Sequence, residues 1–228
     1  MKIANPASPS SFTPRSRLLS AVEFLVGAGV VIGHNVYHVI PNEVPILFVL
    51  GWISIRLRDG GWKAIGLTRP VSWKWTVGIA LGVAALRIAL GELVIQPIAT
   101  RFLPKIASPS GASDIPHHPL YALLALAIVW TFAAFGEEMG YRGYLLTRGA
   151  DFGKRTAWAY WIALIPVSVL FGYGHYYKGA AGMVDSGIAG LLLGGSYLLS
   201  RRNLWVPILA HGFIDTFSVI AAFLGFAN

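Results

Sequence analysis

The chain has 228 residues, of which 55% are hydrophobic and 12% charged, with a mean hydropathy of +0.62. A soluble domain carries about twice that charged fraction, so a water-soluble globule, a disordered chain and a fibrous repeat are excluded. No cysteine occurs, which excludes disulfides, thiolate metal sites and cysteine nucleophiles, and the formal +8 charge is scattered between apolar runs instead of forming the basic face that nucleic acid requires.

In chain order, residues 1–17 hold prolines and serines without a long apolar run, and read as a flexible lead-in and not as a cleavable signal. Residues 18–228 then form one integral membrane domain. Apolar runs of the length that crosses a bilayer predict spans over 18–40, 44–55, 75–98, 120–135, 157–173, 183–200 and 204–226. The second is short enough for a re-entrant or interfacial segment, and the fourth can continue through its polar extension toward Arg148. The expected fold is all-α, a polytopic transmembrane bundle of about seven to eight helical elements. Residues 97–119, rich in Pro, Ser and Gly, predict the largest loop.

The positive charges suggest an orientation. With a cytosolic N-terminus, basic residues from Lys2, Arg15 and Arg17 through Arg56, Arg58, Lys63, Arg142, Arg148 and Arg155 to Arg201 and Arg202 fall on the inner side. Arg101, Lys105 and Lys178 fall outside. Arg87 sits within the third span, where it needs water, a partner or a route to the interface, and Glu92 is nearby.

Three polar constellations stand out against this apolar background. In Glu137-Glu138-Met139-Gly140-Tyr141-Arg142 a continuing helix puts Glu138 and Arg142 on one face, while Glu137 points about 100° away toward Tyr141. The pairing marks Glu138 and Arg142 as supporting electrostatics and leaves Glu137 available as a proton acceptor. The second constellation, Phe171-Gly172-Tyr173-Gly174-His175, reads either as an interfacial aromatic belt or as the setting of a catalytic histidine. A straight fifth span would carry His175 away from Glu137, so the catalytic reading requires that helix to be short, broken or tilted, with Pro166 as a possible kink. The third places His211 and Asp215 on one face of the last span.

Together the parts supply acid–base chemistry. Glu137 accepts a proton from water that His175 helps to position, and the hydroxide attacks an amide carbonyl while His211 stabilises the oxyanion. An ionised Asp215 cannot donate a hydrogen bond, so it either orients His211 or donates while protonated.

These residues resemble the CPBP family of intramembrane glutamic endopeptidases, which includes CAAX-prenyl proteases and bacteriocin-processing or immunity proteins. The resemblance rests on Glu-Glu-x-x-x-Arg at Glu137, Glu138 and Arg142, Phe-x-x-x-His at Phe171 and His175, and His-x-x-x-Asp at His211 and Asp215. It covers approximately residues 120–226. It implies a helical membrane protease with Glu137, His175, His211 and Asp215 as catalytic residues, no cofactor, and membrane-associated peptides or proteins as substrates. Family members often carry Asn where Asp215 stands, so a neutral amide donor is not present at that position.

Two other functions use the same residues. Glu137, His175 and His211 form a mixed ligand set for a zinc-dependent membrane protease, although HExxH is missing. Arg87, Glu92, His175, His211 and Asp215 also suit a transporter path, and a catalytically silent scaffold is the remaining alternative.

Overall fold

The computed structural model describes residues 13–103 and 115–226, and among these the chain is all-α, with seven helices and no strand. They are α1 (Pro14–Asn35), α2 (Glu43–Asp59), α3 (Trp73–Phe102), α4 (Pro119–Asp151), α5 (Ala157–Tyr173), α6 (Tyr176–Leu199) and α7 (Trp205–Phe223). A short turn of helix, Trp62–Ile65, lies between α2 and α3.

The helix starts follow capping chemistry more closely than hydropathy. The Thr13 hydroxyl accepts from the Ser16 N–H with Pro14 in the first turn, so α1 begins ahead of its apolar run. Residues 1–12 of the expected lead-in lie outside the described residues. Asn42 caps α2, and Gly60, at φ +83°, ends it in the left-handed conformation.

The loop expected over 97–119 starts later than the composition suggests. α3 passes through a wide turn at Gly91–Ile95 and continues past Pro97 to Phe102. Proline has no N–H and its ring crowds the carbonyl one turn back; the wider turn loosens the backbone just where that crowding falls. Residues 104–114 of the expected loop, including Lys105, lie outside the described residues. The fourth span also exceeds its apolar run. α4 is a continuous helix of 33 residues, widened over Val129–Glu137 and again over Met139–Leu145.

Five helices, α1, α3, α4, α6 and α7, are long and apolar enough to cross a membrane, and α5 is a shorter apolar helix. α2 carries Glu43, Arg56, Arg58 and Asp59 at its ends. Large apolar side chains such as Leu18, Leu25, Leu93, Leu123, Trp158 and Ile162 are exposed, while Glu138, Arg142, Arg148 and Asp151 are buried. Polar residues inside and apolar residues outside is the arrangement that a lipid solvent selects, and the chain is a multi-pass membrane protein.

Connections fix which helix ends lie together. The Leu204 N–H donates to the Gly66 carbonyl, and the Tyr197 hydroxyl to the Ile65 carbonyl at 2.8 Å, joining the α2–α3 and α6–α7 connections. At the opposite end the His117 N–H donates to the Phe223 carbonyl at 3.0 Å, joining the start of α4 to the end of α7. Gly66 sits at φ +92°, and a Cβ there would fall 1.7 Å from the Arg202 carbonyl oxygen, so this contact admits only glycine.

Beside the first junction Arg148, fully buried, pairs with Glu23 at 2.8 Å, Asp59 at 2.5 Å and Asp151 at 3.0 Å. Arg58 adds pairs to Glu23 and Asp151, and Arg155 to Asp59 and Asp151. Burial works against the Arg155 charge, but the Asp151 hydrogen bond and the attraction of Asp151 and Asp59 hold its guanidinium above the usual arginine range. Cations that orientation alone would have explained therefore tie α1, α2 and α4 together. Arg87 meets its need for a partner at Asp185 of α6, 2.7 Å away.

Candidate active site

All three sequence motifs meet around the Phe171 ring near the end of α5. The Arg142 guanidinium of α4 lies 4.4 Å above its centre. Tyr141 packs edge-on at 5.1 Å, His175 lies at 4.9 Å and His211 at 6.0 Å.

The short α5 brings His175 back toward the middle of α4 without a break. α5 has 17 residues, about 25 Å at 1.5 Å per residue, and Glu137 lies roughly 21 Å along α4 from Asp151. α4 and α5 leave the same junction antiparallel, so the end of the short helix comes level with the middle of the long one. α5 runs through Pro166 unbroken to Tyr173.

Glu138 and Arg142 pair as their spacing predicts, at 2.8 Å, and both are shielded from solvent. The same Glu138 oxygen also lies 2.9 Å from His211 Nδ1. His211 Nδ1 donates to this carboxylate oxygen, which accepts from Arg142 as well. Asp215 is farther away, with its carboxylate 3.5 Å from His211 Nε2 and partly exposed. The orienting carboxylate for His211 is therefore chiefly Glu138, a link that sequence spacing did not supply.

Glu137 has a different environment. Its Oε2 is enclosed and has no hydrogen-bond partner among the described residues, and the charged groups acting on it are His211, Asp215, Glu138 and Glu43. His175 Nδ1 lies 2.9 Å from the Phe171 carbonyl. A carbonyl only accepts, so Nδ1 carries the hydrogen and Nε2 of the neutral ring presents a lone pair. The wide turns of α4 meet at Glu138, and such turns shift the register in which successive side chains face a neighbouring helix.

Several residues near this centre were not singled out by sequence. Glu43, at the start of α2, is buried and pairs with His34 Nε2 at 3.1 Å. A Cβ at Gly174 would lie 2.9 Å from the Tyr141 hydroxyl and 3.6 Å from Glu43 Oε1, so both reach the residue next to His175. Glu43 also occupies the first turn of a capped helix, where an acidic residue is ordinary, and this hid it. Lys178, three residues after His175, is by sequence only a charge on the outer side.

Among the described residues no group of three His, Cys, Asp or Glu side chains is arranged to hold a metal ion, so the zinc alternative gains no support from the geometry. An apolar groove of about 410 Å³ lined by Phe24, Phe152, Ile162 and Pro166 opens on α1 and α5, away from the motif residues.

Neither comparison, with curated proteins or with solved structures, gives a match. Residues 119–217 match the family described as Rce1-like, type II CAAX prenyl endopeptidase Rce1-like. That stretch contains every residue of the three motifs and excludes α1, α2 and α3. Residues 119–217 of this membrane protein are therefore a CAAX/Rce1-like protease domain of the CPBP family.

Proposed function

We propose that the chain is an intramembrane or membrane-interfacial endopeptidase in which Glu137 and His175 activate water against a peptide bond of a membrane-associated peptide or protein. One observation carries the assignment of the base: one oxygen of each glutamate is enclosed without a partner, but Glu138 is committed through Oε1 to Arg142 and His211, whereas Glu137 makes no ion pair or side-chain hydrogen bond among the described residues.

Water held between Glu137 and the free Nε2 of His175 loses a proton to Glu137 as its oxygen attacks the carbonyl carbon. The carbonyl π pair moves onto oxygen, and His211 Nε2–H donates to that oxyanion. Glu138 accepts from Nδ1 and Asp215 lies opposite Nε2, and this step uses the ring with hydrogen on both nitrogens. The oxyanion then collapses, the C–N bond breaks, and Glu137 returns its proton to the departing amine. Asp215 contributes by orienting His211.

In this reading residues 18–228 act as one integral domain with a cytosolic N-terminus. The basic residues Arg58, Lys63, Lys154, Arg155, Arg201 and Arg202 at the end of the bundle where α1 begins support that orientation. The test is purified protein reconstituted in vesicles with a pool of membrane-anchored peptides, followed by mass spectrometry of new termini. Cleavage at internal peptide bonds is expected. Solute or proton flux without any new terminus would replace the protease by a transporter.

A further inference from the structure

We infer that His34 and Glu43 form a one-proton latch that positions the catalytic pair: with the proton in place the start of α2 is fixed against the residues next to Glu137 and His175, and without it that contact is released. The inference rests on the protease reading above and extends the working site to α1 and α2, outside residues 119–217.

Glu43 and Val44 open α2 and touch both halves of the site. A Cβ at Gly136, one residue before Glu137, would fall 2.7 Å from Val44 Cγ1, and one at Gly174, one residue before His175, would fall 3.6 Å from Glu43 Oε1. One helix start therefore rests against the segment that carries the base and against the segment that carries the histidine. A shift of that start is felt by both.

His34, in the last turn of α1, holds it there. His34 Nδ1 lies 3.0 Å from the Ile40 carbonyl, which only accepts, so Nδ1 carries a hydrogen. Nε2 lies 3.1 Å from Glu43 Oε2. A neutral ring with its hydrogen on Nδ1 would turn the Nε2 lone pair onto a carboxylate oxygen, which is repulsive. The contact is attractive only with one further proton, on Nε2 or on Oε2. Water reaches the pair from the histidine, whose side chain is 33% exposed against 9% for Glu43.

The other ionisable groups around Glu43 are Glu137 and Tyr141 of α4, Tyr177 of α6 and, beside Gly174, His175. Among the described residues only His34 pairs with Glu43, and Tyr37 and His38 of the α1–α2 connection are exposed. Loss of the shared proton thus leaves a buried carboxylate without a partner, which is costly. Glu43 turns toward water and draws the start of α2 from Gly136 and Gly174. A histidine changes charge between about pH 5 and 8, so the latch closes at the low end of that range and opens at the high end.

The experiment uses the full-length protein in vesicles at equal pH on both sides, with one cleaved peptide, from about pH 5.5 to about pH 8.5. Turnover is measured alongside hydrogen exchange of residues 172–178, corrected for the intrinsic dependence on pH. His34→Gln and Glu43→Gln each place an amide N–H in the contact at every pH. The ratio of kcat at low to high pH is expected to be about fivefold larger, or more, in the wild type than in either variant, and exchange of 172–178 to quicken at high pH in the wild type alone. His34→Ala, which loses both contacts, should show the quick exchange at every pH. Coincident pH profiles and exchange in the wild type and both Gln variants would overturn the inference, as would wild-type exchange in His34→Ala at low pH. An equal loss of kcat at every pH in both Gln variants, with exchange unchanged, would also overturn it. Absence of turnover on any peptide, with the exchange pattern as expected, would sink the protease reading alone and leave the latch standing.

Discussion

Glu138 Oε1 lies 2.8 Å from Arg142 and 2.9 Å from His211, while one residue earlier Glu137 makes no ion pair or side-chain hydrogen bond among the described residues. Spacing alone separated these two glutamates, because i,i+4 pairing with Arg142 is a local property of any helix. It did not reveal that Glu138 also holds His211, which lies 73 positions away and is joined only by tertiary packing. Spacing instead favoured Asp215 as the partner, and at 3.5 Å that contact is the weaker one. Asp215→Asn should therefore keep kcat within about threefold of wild type, since His211 retains its Glu138 contact and a neutral amide does not oppose the oxyanion. A collapse of kcat would instead make the Asp215 carboxylate itself essential. His175→Ala should lower kcat by roughly 100- to 10,000-fold while the thermal midpoint in detergent stays near wild type. Equal losses of midpoint and activity would mark His175 as a packing residue.

At the scale of elements, hydropathy located every helix but misjudged where several end. It cannot register a cap such as Thr13, a wide turn that lets α3 pass Pro97, or the polar continuation of α4 inside a bundle. These depend on backbone hydrogen bonds and on burial by other helices, neither of which appears in an average over side chains. The short α5 is the element on which the site depends most, since its length sets His175 level with the glutamates. Its packing is tight at Gly172, where a Cβ would lie 2.7 Å from the Met183 carbonyl oxygen of α6. Close approach at a small residue is how membrane helices gain contact. Gly172→Val should push α5 from α6, at a cost of about 1–3 kcal/mol, read as a lowered thermal midpoint together with lost cleavage. Retention of both would show that α5 and α6 tolerate a wider spacing.

For the whole molecule, the scarcity of charge foretold a membrane protein, and the structure adds where that charge is spent. Part lies around Glu137 and Glu138, and part in the buried cluster centred on Arg148 that ties α1, α2 and α4. The cluster was not legible because Asp59, Arg148 and Asp151 sit near helix ends, where charges ordinarily face water, and Glu23, midway along α1, meets them only through tertiary packing. Removing one partner from a buried network leaves uncompensated charge. Arg148→Met should accordingly destabilise by about 3–5 kcal/mol, measured as a lowered unfolding midpoint; a change within experimental error would show that Arg58 and Arg155 compensate. Orientation is open to a direct check because the chain has no cysteine. Lys63→Cys should be labelled only from the cytosolic side and Tyr37→Cys only from the opposite side by a membrane-impermeant thiol reagent. The reverse pattern would invert the bundle.

The role of Glu137 is tested most directly by turnover of a single identified peptide by wild type and by Glu137→Gln, in vesicles and with matched folding. The substitution changes little volume but removes the proton acceptor. A loss of kcat of roughly 100- to 10,000-fold, with peptide affinity retained, is the predicted result, and a folded Glu137→Gln protein that cleaves at the wild-type rate would contradict it.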